Sequence, residues 1–360
     1  MHILGYCREG FERDTGLELS HHLGLDALGV RIAGSERSSF VASGALTAEQ
    51  FTRLKGQLRF EALVFPRQIL WAMPVPTEHG DDRAGPLVRC ATDVIAPAAG
   101  VNAFSELWFE TPDTNEGKSL ARLGQKLKPI LERGLNRARL LPKGPGARHL
   151  PRLHVLLVSY DEAWLGFSER HNSAPWPMGI PRLKLPQDAP SRSTLKLEEA
   201  FHVFLSDDER GEALKSGMTA VDLGAAPGGW SYQFVRRGIE VTAVDNGAMA
   251  PELMATGLVT HLRADALSWL PAKPVDWLVC DVVEQPKRIA DLVAAWLSNG
   301  LATRMVFNLK LPMKKCFEEV QRALDIVRQS LPQDGRLALK ARQLYHDRKE
   351  VTVYVGPRQT

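Results

Sequence analysis

Cysteine is scarce in this chain, and no part of it is apolar over a long stretch. The four cysteines, Cys7, Cys90, Cys280 and Cys316, form no Cys-x-x-Cys pair, which argues against a zinc site and against a disulfide framework. No apolar run approaches the roughly 20 residues that cross a bilayer, and the first residues do not have the pattern of a secretion signal. We therefore expect a cytoplasmic protein without a membrane anchor or a bound metal.

The chain as a whole also lacks a large excess of positive or negative residues. Lys and Arg number 45 against 42 Asp and Glu, a formal net charge of +3 over 360 residues. The basic residues are nevertheless concentrated, since ten of them lie between Lys118 and Arg152 against one acidic residue, Glu132. A local positive field of this kind attracts phosphate groups, although a solvated helix face followed by a loop would have the same composition.

The length of the chain allows two or three domains. Residues 1–75 alternate in a βαββαβ pattern, which predicts a ferredoxin-like α+β unit, and Thr47 and Gln50 have the spacing of a capping box. Residues 76–172 predict a second small α+β unit with a basic helix from about 118 to 137. Five prolines in 173–190 predict an extended linker.

Residues 191–360 predict a Rossmann-like sheet of seven mostly parallel strands, because candidate strands alternate with helices. The last two strands are expected to form an antiparallel pair. The candidate strands are 220–223, 240–244, 259–263, 277–280, 305–309, 336–344 and 350–355. Ligands of such sheets bind beyond the carboxyl ends of the parallel strands, so functional residues should collect at that edge.

A glycine-rich turn follows the first of these strands. It reads Asp222-Leu-Gly-Ala-Ala-Pro-Gly-Gly-Trp230. Gly224, Gly228 and Gly229 permit unusual backbone angles and the close approach of a ligand, and Pro227 stiffens the loop. The G-x-x-x-G-G spacing differs from that of dinucleotide and triphosphate loops. It favours a nucleoside-type ligand, with a purely structural tight turn as the alternative.

Acidic residues follow the next strands. Asp245 ends the second strand and lies 23 residues after Asp222, a spacing suited to accepting hydrogen bonds from both hydroxyls of a ribose. Asp265 is placed to accept a hydrogen bond from the exocyclic amine of adenine. Each of them, considered singly, could instead cap a helix or a turn.

Four further charged residues are expected at the same edge. Asp281 and Lys310 directly follow the strands 277–280 and 305–309, and Glu350 begins the last strand, which starts at that edge if it runs antiparallel. Lys196 belongs to a helix lead-in that precedes the first strand. A lysine at the end of a buried strand needs an explanation.

These motifs resemble those of ribose 2′-O-methyltransferases with a Lys-Asp-Lys-Glu tetrad. The similarity includes Ser191-Arg-x-x-x-Lys-Leu-x-Glu199 and the glycine-rich turn. More narrowly, residues 178–184, 191–204, 307–315 and 341–348 are similar to bacterial 23S ribosomal RNA cytidine 2′-O-methyltransferases of the RlmM type. In that family the front half is an RNA-binding region that contains a THUMP unit, which here would be 76–172.

The resemblance implies S-adenosylmethionine as cofactor and 23S ribosomal RNA as partner. It assigns Lys196, Asp281, Lys310 and Glu350 to catalysis, with Lys310 as the general base. It assigns the following residues to the cofactor: Ser193, Gly224, Ala226, Pro227, Gly228, Gly229, Asp245, Asp265 and Asp281.

A lysine base must be neutral to accept the proton of a ribose hydroxyl. Burial and the nearby Lys196 would lower the pKa of Lys310, whereas Asp281 and Glu350 would raise it, and the sequence leaves the net direction open. Lys314 and Lys315 lie within five residues of Lys310 and could compete for its role, although phosphate contact suits their position better.

Two other classes of function remain open at this point. The chain could be an RNA-binding ribosome assembly factor with a vestigial cofactor pocket, or a methyltransferase that acts on a small molecule or a protein. The presence of all four tetrad residue types argues against the first, and the basic front half argues against the second. We expect a monomer.

Overall fold

The structure, a computed structural model, describes residues 1–34, 38–77, 82–142 and 149–358. These residues divide into two units, Met1–Ile180 and Pro181–Thr360. Within the described ranges, no helix combines the length and the apolarity needed to cross a membrane.

The first unit is built on one seven-stranded sheet in the order β2-β3-β1-β4-β7-β6-β5. Neighbouring strands are antiparallel except for β5 and β6. Helices α1, α2, α3 and α5 bury Leu19, Leu54, Leu87 and Leu131 in its core. The elements are β1 (His2–Tyr6), α1 (Glu12–Leu23), β2 (Ile32–Ala33), β3 (Phe40–Ser43), α2 (Ala48–Gln57), β4 (Gln68–Pro76), α3 (Ala84–Cys90), α4 (Ala96–Ala99), β5 (Leu107–Glu110), α5 (Asn115–Arg137), β6 (Arg152–Leu157) and β7 (Glu162–Ser168).

The first 75 residues have the predicted βαββαβ order. The capping box at Thr47 and Gln50 is confirmed, because each side chain bonds to the backbone N–H of the other residue. Strand β4 pairs with β7 from Trp71–Phe167 to Pro76–Glu162. The sheet therefore continues across residue 75, and the division into two small units at that point stays a prediction.

Helix α5 contains most of the basic residues between Lys118 and Arg152. Its leucines at 120, 127, 131 and 135 are buried. Five exposed cations spaced along the helix point away from these leucines, since their positions recur at nearly whole turns. They form what we call the basic stripe: Lys118, Arg122, Lys126, Arg133 and Arg137. Lys143 and Arg148 lie outside the described residues.

The predicted linker is only partly extended. Pro177–Gly179 form one short helical turn, and the N–H of Met178 donates a hydrogen bond to Glu110 Oε1 over 2.5 Å. Ala174, Met178 and Ile180 are buried. The beginning of the segment thus packs as part of the first unit.

The second unit has a seven-stranded sheet in the order β10-β9-β8-β11-β12-β14-β13. Strands β8 to β12 are parallel, and β14 is antiparallel to both β12 and β13, which confirms the predicted fold and the antiparallel final pair. The elements are α6 (Thr194–Phe204), α7 (Asp207–Ala213), β8 (Thr219–Leu223), α8 (Gly229–Val235), β9 (Glu240–Val244), α9 (Pro251–Met254), β10 (Val259–Leu262), β11 (Val275–Cys280), α10 (Pro286–Ser298), β12 (Ala302–Lys310), α11 (Cys316–Gln329), β13 (Leu337–Arg342) and β14 (Glu350–Pro357).

The register of this sheet brings several strand ends to one edge. Leu223 pairs with Val244 and Cys280, and Cys280 also pairs with Phe307. Lys310, three residues further along β12, pairs with Glu350. The residues that follow β8, β9, β11 and β12 therefore share an edge with the first residue of β14.

Candidate active site

Four charged side chains from separate segments meet at this edge. Lys196 Nζ lies 3.1 Å from Asp281 Oδ2 and 2.5 Å from Glu350 Oε1. Lys310 Nζ contacts the other oxygen of each carboxylate, Asp281 Oδ1 and Glu350 Oε2. Each ammonium thus bridges both carboxylates. The structure brings all four predicted catalytic residues together in a closed ring of alternating charge, which we call the tetrad.

Helix α6 carries Lys196 to the tetrad, and a buried carboxylate fixes the helix there. Glu199, less than one turn after Lys196, accepts hydrogen bonds from the backbone N–H groups of Tyr345 (2.7 Å) and His346 (2.8 Å). These two residues belong to the connection between β13 and β14. The contact therefore ties the helix that bears Lys196 to the segment that leads to Glu350.

The two carboxylates decide the protonation of the tetrad. Burial alone would raise the pKa of Asp281, but the charges of Lys310 and Lys196 outweigh it and hold the pKa below its ordinary value. Burial alone would lower the pKa of Lys310, but Asp281 and Glu350 outweigh it and raise the pKa. These contacts therefore favour the ammonium form of Lys310 and give the direction that the sequence left open.

Lys314 and Lys315 do not belong to the tetrad. Both are exposed, and Lys315 has a left-handed backbone (φ +60°) at the start of α11. Of the three neighbouring lysines, Lys310 is the one whose ammonium contacts Asp281 and Glu350.

The glycine-rich turn connects β8 to α8, as predicted. Gly224 (φ +75°) and Gly228 (φ +112°) have left-handed backbones that favour glycine. A Cβ at Gly224 would lie 2.6 Å from Val282 Cγ2, and one at Gly228 would lie 2.3 Å from Leu253 Cδ2. Protein atoms therefore take the space that these two side chains would need. What the turn offers a ligand is its backbone, which includes a cis bond between Ala226 and Pro227.

Asp245 joins this turn to the end of β9. Its Oδ2 accepts a hydrogen bond from the N–H of Ala226 (3.0 Å), and its Oδ1 accepts one from the N–H of Gly247 (2.7 Å). An ionised carboxylate accepts about four hydrogen bonds. Asp245 thus keeps the capacity to bind the two hydroxyls of a ribose while it fixes the loop.

Two further predicted cofactor residues are Ser193, which precedes α6, and Asp265, which follows β10. The Ser193 hydroxyl lies 2.6 Å from that of Ser191, and a Cβ on Gly229 would meet its Oγ at 2.2 Å, so Ser193 packs against the start of α8. Asp265 follows the edge strand β10 and caps a turn, because it accepts hydrogen bonds from Leu267 N (3.0 Å) and Ser268 Oγ (3.1 Å). Its cofactor role stays a prediction.

Asp222 is buried beneath the turn. Burial raises the pKa of Asp222 to about 7, although the Ser231 hydroxyl opposes this by donating a hydrogen bond over 2.7 Å. The negative charges of Asp281 and Asp245 add to the rise. Asp222 is therefore a carboxyl that titrates near neutral pH inside the sheet.

Three polar residues behind the tetrad escaped the sequence analysis. Asn308 Nδ2 donates a hydrogen bond to Asp281 Oδ1 over 2.9 Å, and Thr352 Oγ1 lies 2.8 Å from Asn308 Oδ1. The same Thr352 oxygen lies 3.1 and 2.9 Å from the two carboxyl oxygens of Asp347. Asn308 and Thr352 each interrupt an apolar strand, and that interruption was a signal that could have revealed them.

The sheet and its edge define a methyltransferase of the FtsJ-like class. The family model described as FtsJ-like methyltransferase matches residues 189–350. Two further models match the front half: the RlmM ferredoxin-like domain over 1–70 and the N-terminal region of ribosomal RNA large subunit methyltransferase M over 82–169.

Similar proteins span the whole chain. The ribosomal RNA large subunit methyltransferase M of Methylococcus capsulatus is 48% identical over 356 residues, which cover 98% of this chain and 97% of that protein. The corresponding proteins of Pseudomonas putida (45% identical, covering 97% of this chain and 96% of that protein) and Xanthomonas campestris pv. campestris (43%, covering 98% of each) are similar over the same extent. The chain belongs to the ribosomal RNA large subunit methyltransferase M family, which confirms the resemblance seen in its motifs.

Proposed function

We propose that this protein transfers a methyl group from S-adenosylmethionine to a ribose 2′-hydroxyl of 23S ribosomal RNA, and that the acceptor is a cytidine. The observation that carries the proposal is the tetrad, in which two ammonium groups and two carboxylates are held in contact at the ligand-binding edge of the sheet. The names of the relatives support the class of RNA. The choice of cytidine rests on the motif resemblance.

The glycine-rich turn and the residues around it suit S-adenosylmethionine. Asp245 has acceptor capacity for the ribose hydroxyls, and the backbone of the turn is left-handed at Gly224 and Gly228. Asp265 lies at the same edge, where it would accept from the adenine amine, and Ser193 would close the site beside Gly229. Bound there, the cofactor would supply an electrophilic methyl group.

The tetrad would serve the acceptor hydroxyl. Lys310 Nζ would accept the hydroxyl proton as the ribose oxygen bonds to the methyl carbon and the methyl–sulfur bond breaks, which would leave the 2′-O-methyl ribose and S-adenosylhomocysteine. Lys196, Asp281 and Glu350 would hold the amine and the hydroxyl in line for transfer. Because both carboxylates raise the pKa of Lys310, only a small fraction of the enzyme has the neutral amine at neutral pH. That fraction grows about tenfold with each pH unit.

The front half would bind the RNA. The basic stripe of α5 presents five exposed cations, and each phosphate that they neutralise releases counterions. We assign ferredoxin-like and THUMP-like units to 1–75 and 76–172, a linker to 173–190 and the methyltransferase unit to 191–360. The protein would act as a monomer in the cytoplasm.

The test is methyl transfer from labelled S-adenosylmethionine to 23S ribosomal RNA isolated from cells that lack the protein, followed by mapping of ribose methylation. We expect one new 2′-O-methyl group, at a cytidine, and its formation slowed by roughly 10²-fold or more when Lys310 is replaced by Ala. An assembly factor would bind the RNA without transfer. Label found in a protein or a small molecule would place the enzyme in a different class.

A further inference from the structure

A buried line of polar side chains leads away from the tetrad. It runs from Asp281 through Asn308 and Thr352 to Asp347. The first two contacts are 2.9 and 2.8 Å long, and the last, from Thr352 Oγ1 to Asp347 Oδ1, is 3.1 Å long. Asn308, Thr352 and Asp347 are all 0% exposed. Each hydrogen in this line must therefore be supplied by a group within the line or by the neighbouring backbone.

The direction of the first two hydrogen bonds follows from the charge of Asp281. Its low pKa leaves it an ionised carboxylate, which only accepts hydrogen bonds. Asn308 must then turn its N–H toward Asp281 and its carbonyl oxygen toward Thr352. The single hydroxyl hydrogen of Thr352 is consequently used in donating to Asn308 Oδ1.

The remaining contact needs a hydrogen from Asp347. Thr352 Oγ1 has no second hydrogen to give, yet it lies 3.1 Å from Asp347 Oδ1 and 2.9 Å from Oδ2. Oδ2 already accepts the N–H of Leu344 over 3.0 Å, which leaves Oδ1 as the protonated oxygen. We propose that Asp347 is a protonated positioning residue whose carboxyl donates to Thr352 and thereby fixes Asn308 and Asp281 for methyl transfer.

The surroundings of Asp347 agree with a neutral carboxyl. Burial raises the pKa of Asp347 well above its ordinary value, and the charges of Glu350 on β14 and Glu199 on α6, which face it, add to the rise. With Asp347 neutral, the tetrad keeps two ammonium groups and two carboxylates. A third negative charge would hold the proton on Lys310 more tightly and would oppose its action as a base.

Three variants test this proposal, which rests on the proposed function for its activity readout. Thr352→Val removes the hydroxyl at nearly constant shape, and we expect kcat to fall on the order of 10-fold or more with the KM for S-adenosylmethionine unchanged. Thr352→Ser restores the hydroxyl and should restore most of the rate. Asp347→Asn keeps a donor for Thr352 and an acceptor for Leu344, so its rate should stay within about threefold of wild type, with the same pH profile.

Several results would overturn the proposal. An ionised Asp347 would make Asp347→Asn shift the alkaline limb of the pH–rate profile to lower pH, because a nearby negative charge would be lost. Full activity of Thr352→Val, or a loss that Thr352→Ser does not rescue, would remove the positioning role.

Infrared difference spectroscopy of wild type against Asp347→Asn at neutral pH tests whether the Asp347 carboxyl is protonated, without any activity assay. A carboxylic acid C=O band present only in the wild type is expected. A carboxylate band in its place would show that Asp347 is ionised and would reject the proposal. This measurement still decides the question if Thr352→Val does not fold. It also decides the question if the wild type methylates no RNA, so the two proposals can fail separately.

Discussion

Lys310 and Glu350 lie directly opposite each other on the antiparallel strands β12 and β14, and their side chains are in contact. Asp281 reaches the same ammonium from the neighbouring parallel strand. The positions of Lys310, the proposed base, and of the two carboxylates that raise its pKa are thus set by strand register. A shift of one residue in β14 would turn Glu350 to the other face of the sheet.

The first prediction concerns the identity of the base. Replacing Lys310 by Ala should lower kcat by roughly 10²- to 10⁴-fold, the usual contribution of proton transfer to a positioned base, while S-adenosylmethionine still binds. Replacing the exposed Lys314 by Ala is the matched control and should leave single-turnover transfer at saturating RNA near wild type. Isothermal titration and single-turnover methylation measure the two effects, and the opposite ranking of the variants would reject Lys310.

The second prediction concerns pH. Since Asp281 and Glu350 raise the pKa of Lys310, the rate should climb with pH until that raised value is reached. Glu350→Gln removes one of the two negative charges, so the pKa of Lys310 should fall and the rising limb should move to lower pH, whatever happens to the maximal rate. Single-turnover rates across the alkaline range show the limb, and an unmoved limb would mean that Lys310 does not supply the titrating amine.

The third prediction concerns the cofactor. Asp245→Ala should weaken S-adenosylmethionine binding by about 10- to 100-fold, because two hydrogen bonds to a carboxylate and the anchor of the glycine-rich turn are lost together. Asp265→Ala should cost only about 10-fold or less, as one hydrogen bond would. Ser268→Ala removes the hydroxyl that bonds to Asp265 but keeps the Asp265 carboxylate. This variant should leave the affinity for S-adenosylmethionine unchanged. Calorimetric dissociation constants that are equal for Asp245→Ala and wild type would exclude the ribose contact.

The fourth prediction concerns stability. The folded pKa of Asp222 is about 7, far above that of the unfolded chain, so the folded protein holds a proton that the unfolded chain releases between about pH 4 and 7. Stability should therefore fall as the pH rises through this window, by roughly 1 kcal/mol per pH unit. The Asp222→Asn variant has no ionisable group at this position, so its free energy of unfolding should fall less over the same pH window. Urea midpoints of the two proteins should diverge from about pH 4 to about pH 7, and parallel midpoints would contradict the shift.

The fifth prediction concerns RNA. Replacing Arg122, Lys126 and Arg133 of the basic stripe by Ala should weaken RNA binding and reduce the slope of log K against log salt by about 2 to 3. Lys215, Lys287 and Arg322 are exposed cations of the second unit and give a charge-matched control. Filter binding at several salt concentrations compares the two triples. Equal slopes would show that α5 does not contact the phosphates.

Local patterns were enough to predict parts of both units. The capping box, the glycine-rich turn and the strand-end positions of Asp245 and Asp281 depend on residues close together in the chain, where turn chemistry and period decide the conformation. The resemblance then indicated which lysines and acids to pair. Asn308 and Thr352 were missed because a polar residue inside an apolar strand reveals its role only when its partner on the next strand is known.

The order of residues alone determined the alternating elements, the glycine-rich turn and the set of charged side chains at strand ends, because each of these is fixed by its near neighbours in the chain. Only the folded arrangement decided that β4 joins β7 across residue 75, that the carboxylates outweigh burial in setting the pKa of Lys310, and that Asp347 stands behind Asn308. The physical reason is distance: pairing between remote strands and electrostatic interaction through a buried site depend on separations in space, which the spacing of residues along the chain does not specify.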